Sequence, residues 1–199
     1  MSKNSSRDSA DLSADELAHW LALNQAPGIG PIGFQRLLQH FGHASEVFSA
    51  NVGELRQLGL RANALRGLQK PDWGEVEKQQ NWALRPGNSI ITSVCPSYPD
   101  LLRQISDPPP VLFVSGRVNL LNNPQIAVVG SRKPSPGGQQ NAKQFGQQLS
   151  QHGLVVTSGL AYGIDAAAHQ GALSASAPTI AVLGSGLDNI YPRRHQHLA

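Results

Sequence analysis

The chain has 199 residues, of which 40% are hydrophobic and 15% charged, with a formal net charge of +3 and a pI near 9.3. This composition is typical of a globular protein with a buried core, and the single cysteine, Cys95, excludes an intramolecular disulfide framework and a CxxC zinc site. The N-terminus is polar and no apolar run is long enough for a membrane span, so the chain is predicted to be cytoplasmic.

Residues 12–70 have the pattern of a small all-α domain. A polar stretch, residues 1–11, precedes them and is predicted to be a disordered tail. Ser13 and Glu16 have the spacing of a capping box, which predicts that a first helix begins here. This helix is expected to end near Pro27.

Further helix signals follow along the chain. Pro31 is a favoured first helical residue and predicts a second helix that stops at Gly42. Ser45 is predicted to cap a third helix and Asn51 a fourth. Residues 71–87 are predicted to form a connecting helix and a linker.

The turn after the first helix reads "PGIGPIG" and has the GxGxxG spacing of a dinucleotide-binding loop at Gly28, Gly30 and Gly33. That fingerprint requires a preceding strand, whereas a helix precedes it here. The pattern instead resembles the hairpin of a helix-hairpin-helix module. Its backbone N–H groups could hold a nucleic-acid phosphate, or it is a tight turn packed by Ile29 and Ile32. The turn contains no lysine or arginine, which favours the second interpretation.

Residues 88–199 show a different pattern, with short apolar runs separated by amphipathic segments. The runs are "SIITSV", "VLFVSG", "QIAVVG", "LVVTSG" and "TIAVLG". β-Branched residues dominate them without polar alternation, which predicts strands buried on both faces of a parallel sheet. The intervening segments suit crossover helices, so an α/β domain with a mostly parallel sheet is predicted.

Three of the predicted strands end in glycine-containing turns, which parallel pairing would bring to one edge of the sheet. These turns read "VVGSRKPSPGG", "TSGLAYGID" and "LGSGLDNIYP". Backbone N–H groups at such turns coordinate phosphate oxygens, and the Arg132 guanidinium can pair with them. After Pro109 the chain has six basic residues against two acidic ones, Asp165 and Asp188, which also favours an anion at this edge.

Other candidate chemistry in these turns is weaker. Asp165 and His169 are four residues apart on one helix face, and without a third ligand they are interpreted as a helix-stabilising acid and a packed histidine. Ser131 is not part of a GxSxG elbow, and "GSRKPSPGG" lacks the GK[ST] ending of a P-loop. Tyr162 and Tyr191 could each stack on a base or serve as packing residues.

The segments "IAVVGSRKPSPGG", "GLVVTSGLAYGIDAAAHQGAL" and "TIAVLGSGLDNIYPRRHQHL" resemble, in order and spacing, the core of the DNA-processing protein A family (DprA/Smf). "YPDLLRQISDPPPVLFVSG" resembles the segment before that core, and the helical half resembles the family's small SAM-like or helix-hairpin-helix-like domain.

The resemblance implies a Rossmann-like core and a protein without catalytic turnover. It implies a binder of single-stranded DNA that protects incoming DNA during natural transformation and loads the RecA recombinase. No cofactor and no metal are predicted. The family also dimerises through later parts of its core. Because the family continues beyond "YPRRHQHLA", the chain is expected to be truncated at its C-terminus.

The resemblance also implies DNA-contacting residues. Gly130, Ser131 and Arg132 match the family's glycine-serine-arginine motif, and Arg193 falls at or next to a basic contact position. Together with the glycine turns, this gives a predicted phosphate- and DNA-binding set. Its members are Gly130, Ser131, Arg132, Lys133, Ser158, Gly159, Tyr162, Gly163, Asp165, Gly184, Ser185, Gly186, Tyr191, Arg193 and Arg194.

The alternative interpretation is a nucleotide-binding enzyme of the lysine-decarboxylase-like phosphoribohydrolase type. That family uses a catalytic glutamate in a PGGxGTxxE-type loop. The chain has no glutamate after Glu77, which argues against this alternative.

Overall fold

The computed structural model describes residues 12–199, and the predicted disordered tail lies outside the described residues. The chain divides into two compact units, with the border between Leu121 and Asn122. The two units are described separately.

Short helices open the first unit. They are α1 (Ala14–Gln25), α2 (Pro31–Phe41), α3 (Ala44–Ser49), α4 (Val52–Gln57), α5 (Ala62–Gln69) and α6 (Trp73–Ala83). The Ser13 hydroxyl accepts a hydrogen bond from the Glu16 N–H at 3.1 Å, as the capping pattern predicts. Asn51 caps α4 in the same way, and Gly42 ends α2 with a φ of +83°. The predicted all-α organisation of this segment is therefore confirmed.

The start of α3 differs from the prediction. Ser45 is not its cap, and the N-cap residue, His43, makes no side-chain capping bond. The Glu16 carboxylate accepts hydrogen bonds from the backbone N–H groups of Ala44 and Ser45 instead. An acceptor 28 residues away in the sequence thus replaces the local cap, which helix signals alone do not reveal.

The "PGIGPIG" stretch joins α1 and α2, so it follows a helix, as predicted. Gly28 has a φ of +81°, and Gly30 is the N-cap of α2. Ile29 packs against the hydrophobic core, whereas Ile32 is 57% exposed. The interpretation of a turn packed by both isoleucines is therefore wrong for Ile32.

The first two apolar runs form β1 (Asn88–Thr92) and β2 (Val111–Ser115), which pair antiparallel. The prediction of parallel pairing is wrong for these two strands. Residues 93–110 make a compact loop that contains the short helix α7 (Asp100–Arg103), without a crossover helix long enough for a parallel return. The Arg103 guanidinium holds this loop by donating to the Cys95 carbonyl at 3.0 Å.

The main core of the first unit extends beyond the predicted helical domain. Trp20 and Leu21 of α1 pack in one cluster with Val76 of α6 and with Ile90 and Val111 of the strands. Residues 71–87 are therefore a packed part of this unit, and the unit continues to residue 121, whereas the sequence suggested borders at 70 and 88.

The second unit is a β-α-β-α-β arrangement. Its elements are β3 (Gln125–Ala127), α8 (Pro136–Gln151), β4 (Val155–Ser158), α9 (Ile164–Ser174) and β5 (Thr179–Ala181). The strands form a parallel sheet in the order β3-β4-β5, which confirms the predicted α/β domain with a parallel sheet.

The backbones of helices α8 and α9 are in contact at Gly146, where an added Cβ would collide with the Ala168 carbonyl. Val156 of the central strand and Ala168 of α9 lie in the core of the unit. All three residues of β3 are exposed, so the prediction of burial on both faces is wrong for this strand. The other edge strand of the described sheet, β5, is only partly buried, so the prediction of burial fits the central strand β4 best.

Candidate nucleic-acid interface

The loops that follow the three parallel strands begin at the same edge of the sheet. We call them the first loop (residues 128–135), the second loop (residues 159–163) and the third loop (residues 182–195). The predicted site residues all lie in these loops, at the end of β4 or in the first turn of α9.

The first and second loops are joined through backbone contacts. The Ser131 carbonyl accepts a hydrogen bond from the Ile164 N–H at 3.1 Å. Gly163 has a φ of +83°, and a Cβ at this position would collide with the Ser131 carbonyl oxygen, so glycine is required there. At Gly130 an added Cβ would lie 2.7 Å from Cγ1 of Ile164. These glycines therefore allow the two loops to meet.

Within the first loop, the Ser131 hydroxyl accepts a hydrogen bond from the Lys133 N–H at 3.0 Å. Ser135 caps α8 by accepting from the Gly138 N–H at 3.1 Å. Two serines of the loop thus bond to backbone N–H groups, one in its middle and one at the start of α8. The side chains of Arg132 and Lys133 are exposed between these two serines.

The second loop is shaped by two buried polar side chains. The Ser158 hydroxyl donates to the Val128 carbonyl at 2.6 Å. The Asp165 carboxylate accepts from the N–H groups of Gly159 and Ala161, at 3.1 and 3.4 Å. Ser158 is 4% exposed and Asp165 is 8% exposed, so we assign them to supporting the loop rather than to ligand contact.

His169 is buried beside Asp165 and completes this support. The Thr179 hydroxyl donates to the Val156 carbonyl at 2.6 Å, so it can only accept from Nδ1 of His169, 2.7 Å away. Burial lowers the pKa of His169, while the nearby Asp165 carboxylate opposes this shift. A neutral, packed histidine agrees with the interpretation made from the sequence.

The second and third loops meet around Tyr162. His195 Nδ1 donates to the Leu160 carbonyl at 2.8 Å, and its ring lies 5.2 Å from the Tyr162 ring in an edge-on arrangement. The Arg194 guanidinium carbon lies over the Tyr162 ring, 4.1 Å from its centroid. Tyr191 lies 6.4 Å from the same ring, centroid to centroid, and is 63% exposed.

Contacts thus connect the first loop to the second and the second to the third. Four exposed cations lie on the connected loops, and no salt bridge within residues 12–199 involves them. They are Arg132, Lys133, Arg193 and Arg194.

The remaining predicted residues, Gly184, Ser185 and Gly186, are exposed in the third loop. A Cβ at Gly184 or Gly186 would meet nothing within 4 Å, so close packing does not explain either glycine. Gly186 has a φ of +80°, which does explain its identity.

Sequence reasoning missed His195. It anchors the third loop, but its acceptor lies 35 residues earlier in the chain. No local residue spacing predicts which distant carbonyl a histidine will bond. The predicted set therefore included the two arginines of "YPRRH" but not its histidine.

The edge is chemically suited to a flexible polyanion. Exposed guanidinium and ammonium groups attract phosphates, and the exposed Tyr191 ring offers a stacking surface. Within residues 12–199, no three His, Cys, Asp or Glu side chains are grouped as metal ligands. No helix in the same part of the chain has both the length and the apolar character of a membrane span.

The fold and this edge define a protein with a helical domain and a cationic α/β domain, and comparisons identify its family. The model of the family "DNA recombination-mediator protein A" matches residues 89–199. The model "DprA-like N-terminal HHH domain" matches residues 14–68. The chain belongs to the DNA recombination-mediator protein A family, which favours the predicted resemblance over the phosphoribohydrolase alternative.

Individual relatives agree with this assignment. Protein Smf of Synechocystis sp. is 35% identical over 195 residues, which cover 92% of this chain and 48% of that protein. DNA processing protein DprA of Streptococcus pneumoniae is 46% identical over 101 residues, which cover 51% of this chain and 36% of that protein. The chain spans about half or less of the length of these relatives.

A solved structure also matches the fold. The X-ray structure of DNA processing protein A (DprA) from Streptococcus pneumoniae superposes with a TM-score of 0.73 at 31% identity. The match covers 91% of this chain and 62% of that one.

Proposed function

We propose that this protein is a non-enzymatic binder of single-stranded DNA that acts in the cytoplasm as a recombination mediator. The observation that carries the proposal is the convergence of three connected loops with four exposed cations that form no salt bridge within residues 12–199. Membership of a recombination-mediator family and relatives named DNA processing proteins support DNA as the ligand.

The geometry favours a single strand over a mononucleotide. The cations are distributed over the first and third loops, so that they can contact successive phosphates of a strand. Exposed Tyr191 in the third loop offers a ring to an unstacked base. A basic surface combined with aromatic platforms is how single strands are held without sequence readout.

The test is the salt dependence of binding to a labelled oligothymidylate. Neutralising three or four phosphates should give a slope of about −2 to −3 for log affinity against log salt. Arg132→Glu should weaken binding to all sequences alike, by about tenfold or more, and make the slope less steep by about 1.

Lys143→Glu provides the matched control, because it makes the same change in net charge at an exposed position of α8. It should leave affinity and slope close to those of the unmodified protein. Equal effects of the two charge reversals would contradict the proposed site. A nucleoside monophosphate that competes as well as a long strand would contradict single-strand binding.

We further propose the finer role that the family resemblance implies, in which the protein protects incoming DNA and loads RecA, with the complete protein acting as a homodimer. The family description as a recombination mediator supports this role. RecA assembly on a single strand should increase when the protein is added. An unchanged rate of assembly would refute the loading role while leaving DNA binding intact.

A further inference from the structure

The Tyr162 ring is already covered on one face. Arg194 lies over it at 4.1 Å, and the His195 ring contacts its edge at 5.2 Å. A base cannot stack on the face that Arg194 covers. Arg194 itself is exposed, so its guanidinium is accessible to a ligand.

We propose that Arg194, supported by Tyr162, is a stacking platform for a nucleobase rather than a phosphate ligand. This inference rests on the proposed single-strand binding. A guanidinium is planar, delocalised and weakly hydrated, and it stacks on flat π-systems. The Tyr162 ring beneath the Arg194 guanidinium holds this group in place through a cation–π contact. Arg132 and Lys133 of the first loop and Arg193 of the third loop then contact phosphates, and Arg194 contacts the base.

His195 is the positioning residue of this platform. It is buried, adjacent to Arg194 in the chain, and bonded through Nδ1 to the Leu160 carbonyl. Leu160 has a φ of +58°, an uncommon conformation for a residue other than glycine. Leu160 is also buried, so the bond joins the third loop to a buried residue of the second, two positions before Tyr162.

The two roles of Arg194 make different predictions for a lysine substitution. Lysine keeps the positive charge that a phosphate requires, but it lacks the planar group that stacks on a base. Arg194→Lys should therefore lower affinity only for strands that contain bases. Arg132→Lys is the matched control, since a phosphate contact is affected equally whether or not bases are present.

The experiment compares an oligothymidylate with an abasic strand of the same length, which has the same number of phosphates. Arg194→Lys should weaken binding to the oligothymidylate by about tenfold and leave binding to the abasic strand unchanged. Arg132→Lys should change both affinities by the same factor. His195→Ala should reproduce the loss for the oligothymidylate, and His195→Asn, whose amide can still donate to Leu160, should restore it.

Arg194→Lys with unmodified affinity for both strands would overturn the inference. An equal loss for both strands would also overturn it, because that result describes a phosphate contact. If the unmodified protein binds neither strand, the proposed function itself is refuted, and the stacking role is refuted with it.

Discussion

Replacing Asp165 by asparagine tests how the second loop is held in place. One carboxylate oxygen of Asp165 accepts from the Gly159 and Ala161 N–H groups, at 3.1 and 3.4 Å. Asparagine keeps an acceptor oxygen but removes the charge. We therefore expect the loop to open more often and the proposed DNA-binding edge to lose its shape.

The size of the effect follows from these two bonds. A hydrogen bond to a charged group contributes about 1.5–3 kcal/mol and a neutral one about 0.5–1.5 kcal/mol. The second bond is long, so the loss should be roughly 2 kcal/mol in total. That difference corresponds to an approximately thirtyfold larger population of the open loop.

Amide hydrogen exchange over residues 155–165, read by mass spectrometry, measures this opening. The matched control is Asp188→Asn, since Asp188 is the other acid after Pro109 and is exposed in the same unit. Both variants remove one negative charge and so raise the net charge by one. Asp165→Asn should nevertheless bind single-stranded DNA more weakly than the unmodified protein, whereas Asp188→Asn should bind at least as well.

Equal exchange rates for the two variants would refute the assigned role of Asp165. Tighter DNA binding by both would show that only the added charge matters and that the carboxylate does not shape the edge.

Two further predictions concern pH. Burial alone would raise the pKa of Glu16, but the N–H groups at the start of α3 lower it overall. The stabilisation of the first unit by the ionised Glu16 carboxylate should therefore be present at neutral pH and lost below about 4.5. Tryptophan fluorescence should show this acid loss, and Glu16→Gln, unlike exposed Glu46→Gln, should abolish it. Burial lowers the pKa of His169, so the unfolded chain binds its proton more tightly and the second unit should lose stability below about 6.5. Faster hydrogen exchange in α9 at low pH should reveal this loss of stability. His169→Gln should remove the pH dependence and the control His152→Gln should keep it; the opposite result would contradict the role of His169.

The tryptophan measurement is selective because Trp20, Trp73 and Trp82 all lie in the first unit. It therefore reports on the surroundings of Glu16 and not on those of His169. Exchange data are needed for the second unit, since a chain with two compact units need not unfold in one step.

Much of the fold was predictable because its signals are local. Ser13 and Asn51 cap their helices through bonds to residues three positions away. The three runs that became β3, β4 and β5 were separated by segments long enough for crossover helices, so their parallel pairing followed. Antiparallel β1 and β2 were missed, since their apolar runs look the same in either pairing.

The site was predictable only as a set of loops. Parallel strands bring their following turns to one edge, and the excess of basic residues after Pro109 indicated an anion there. The sequence did not show which members of the set face solvent. Ser158 and Asp165 are buried supports, whereas Arg132 and Arg194 are exposed.

The sequence by itself thus determined the helix starts, the glycine turns, the parallel core and the basic character of one edge, because each depends on residue type and short spacing. Only the tertiary structure decided that Glu16 caps α3, that Arg194 covers Tyr162 and that His195 bonds to Leu160. These partners are 28 to 35 residues apart, and no local preference selects one distant partner over another. Burial of the hydrophobic cores within each unit brings these partners together.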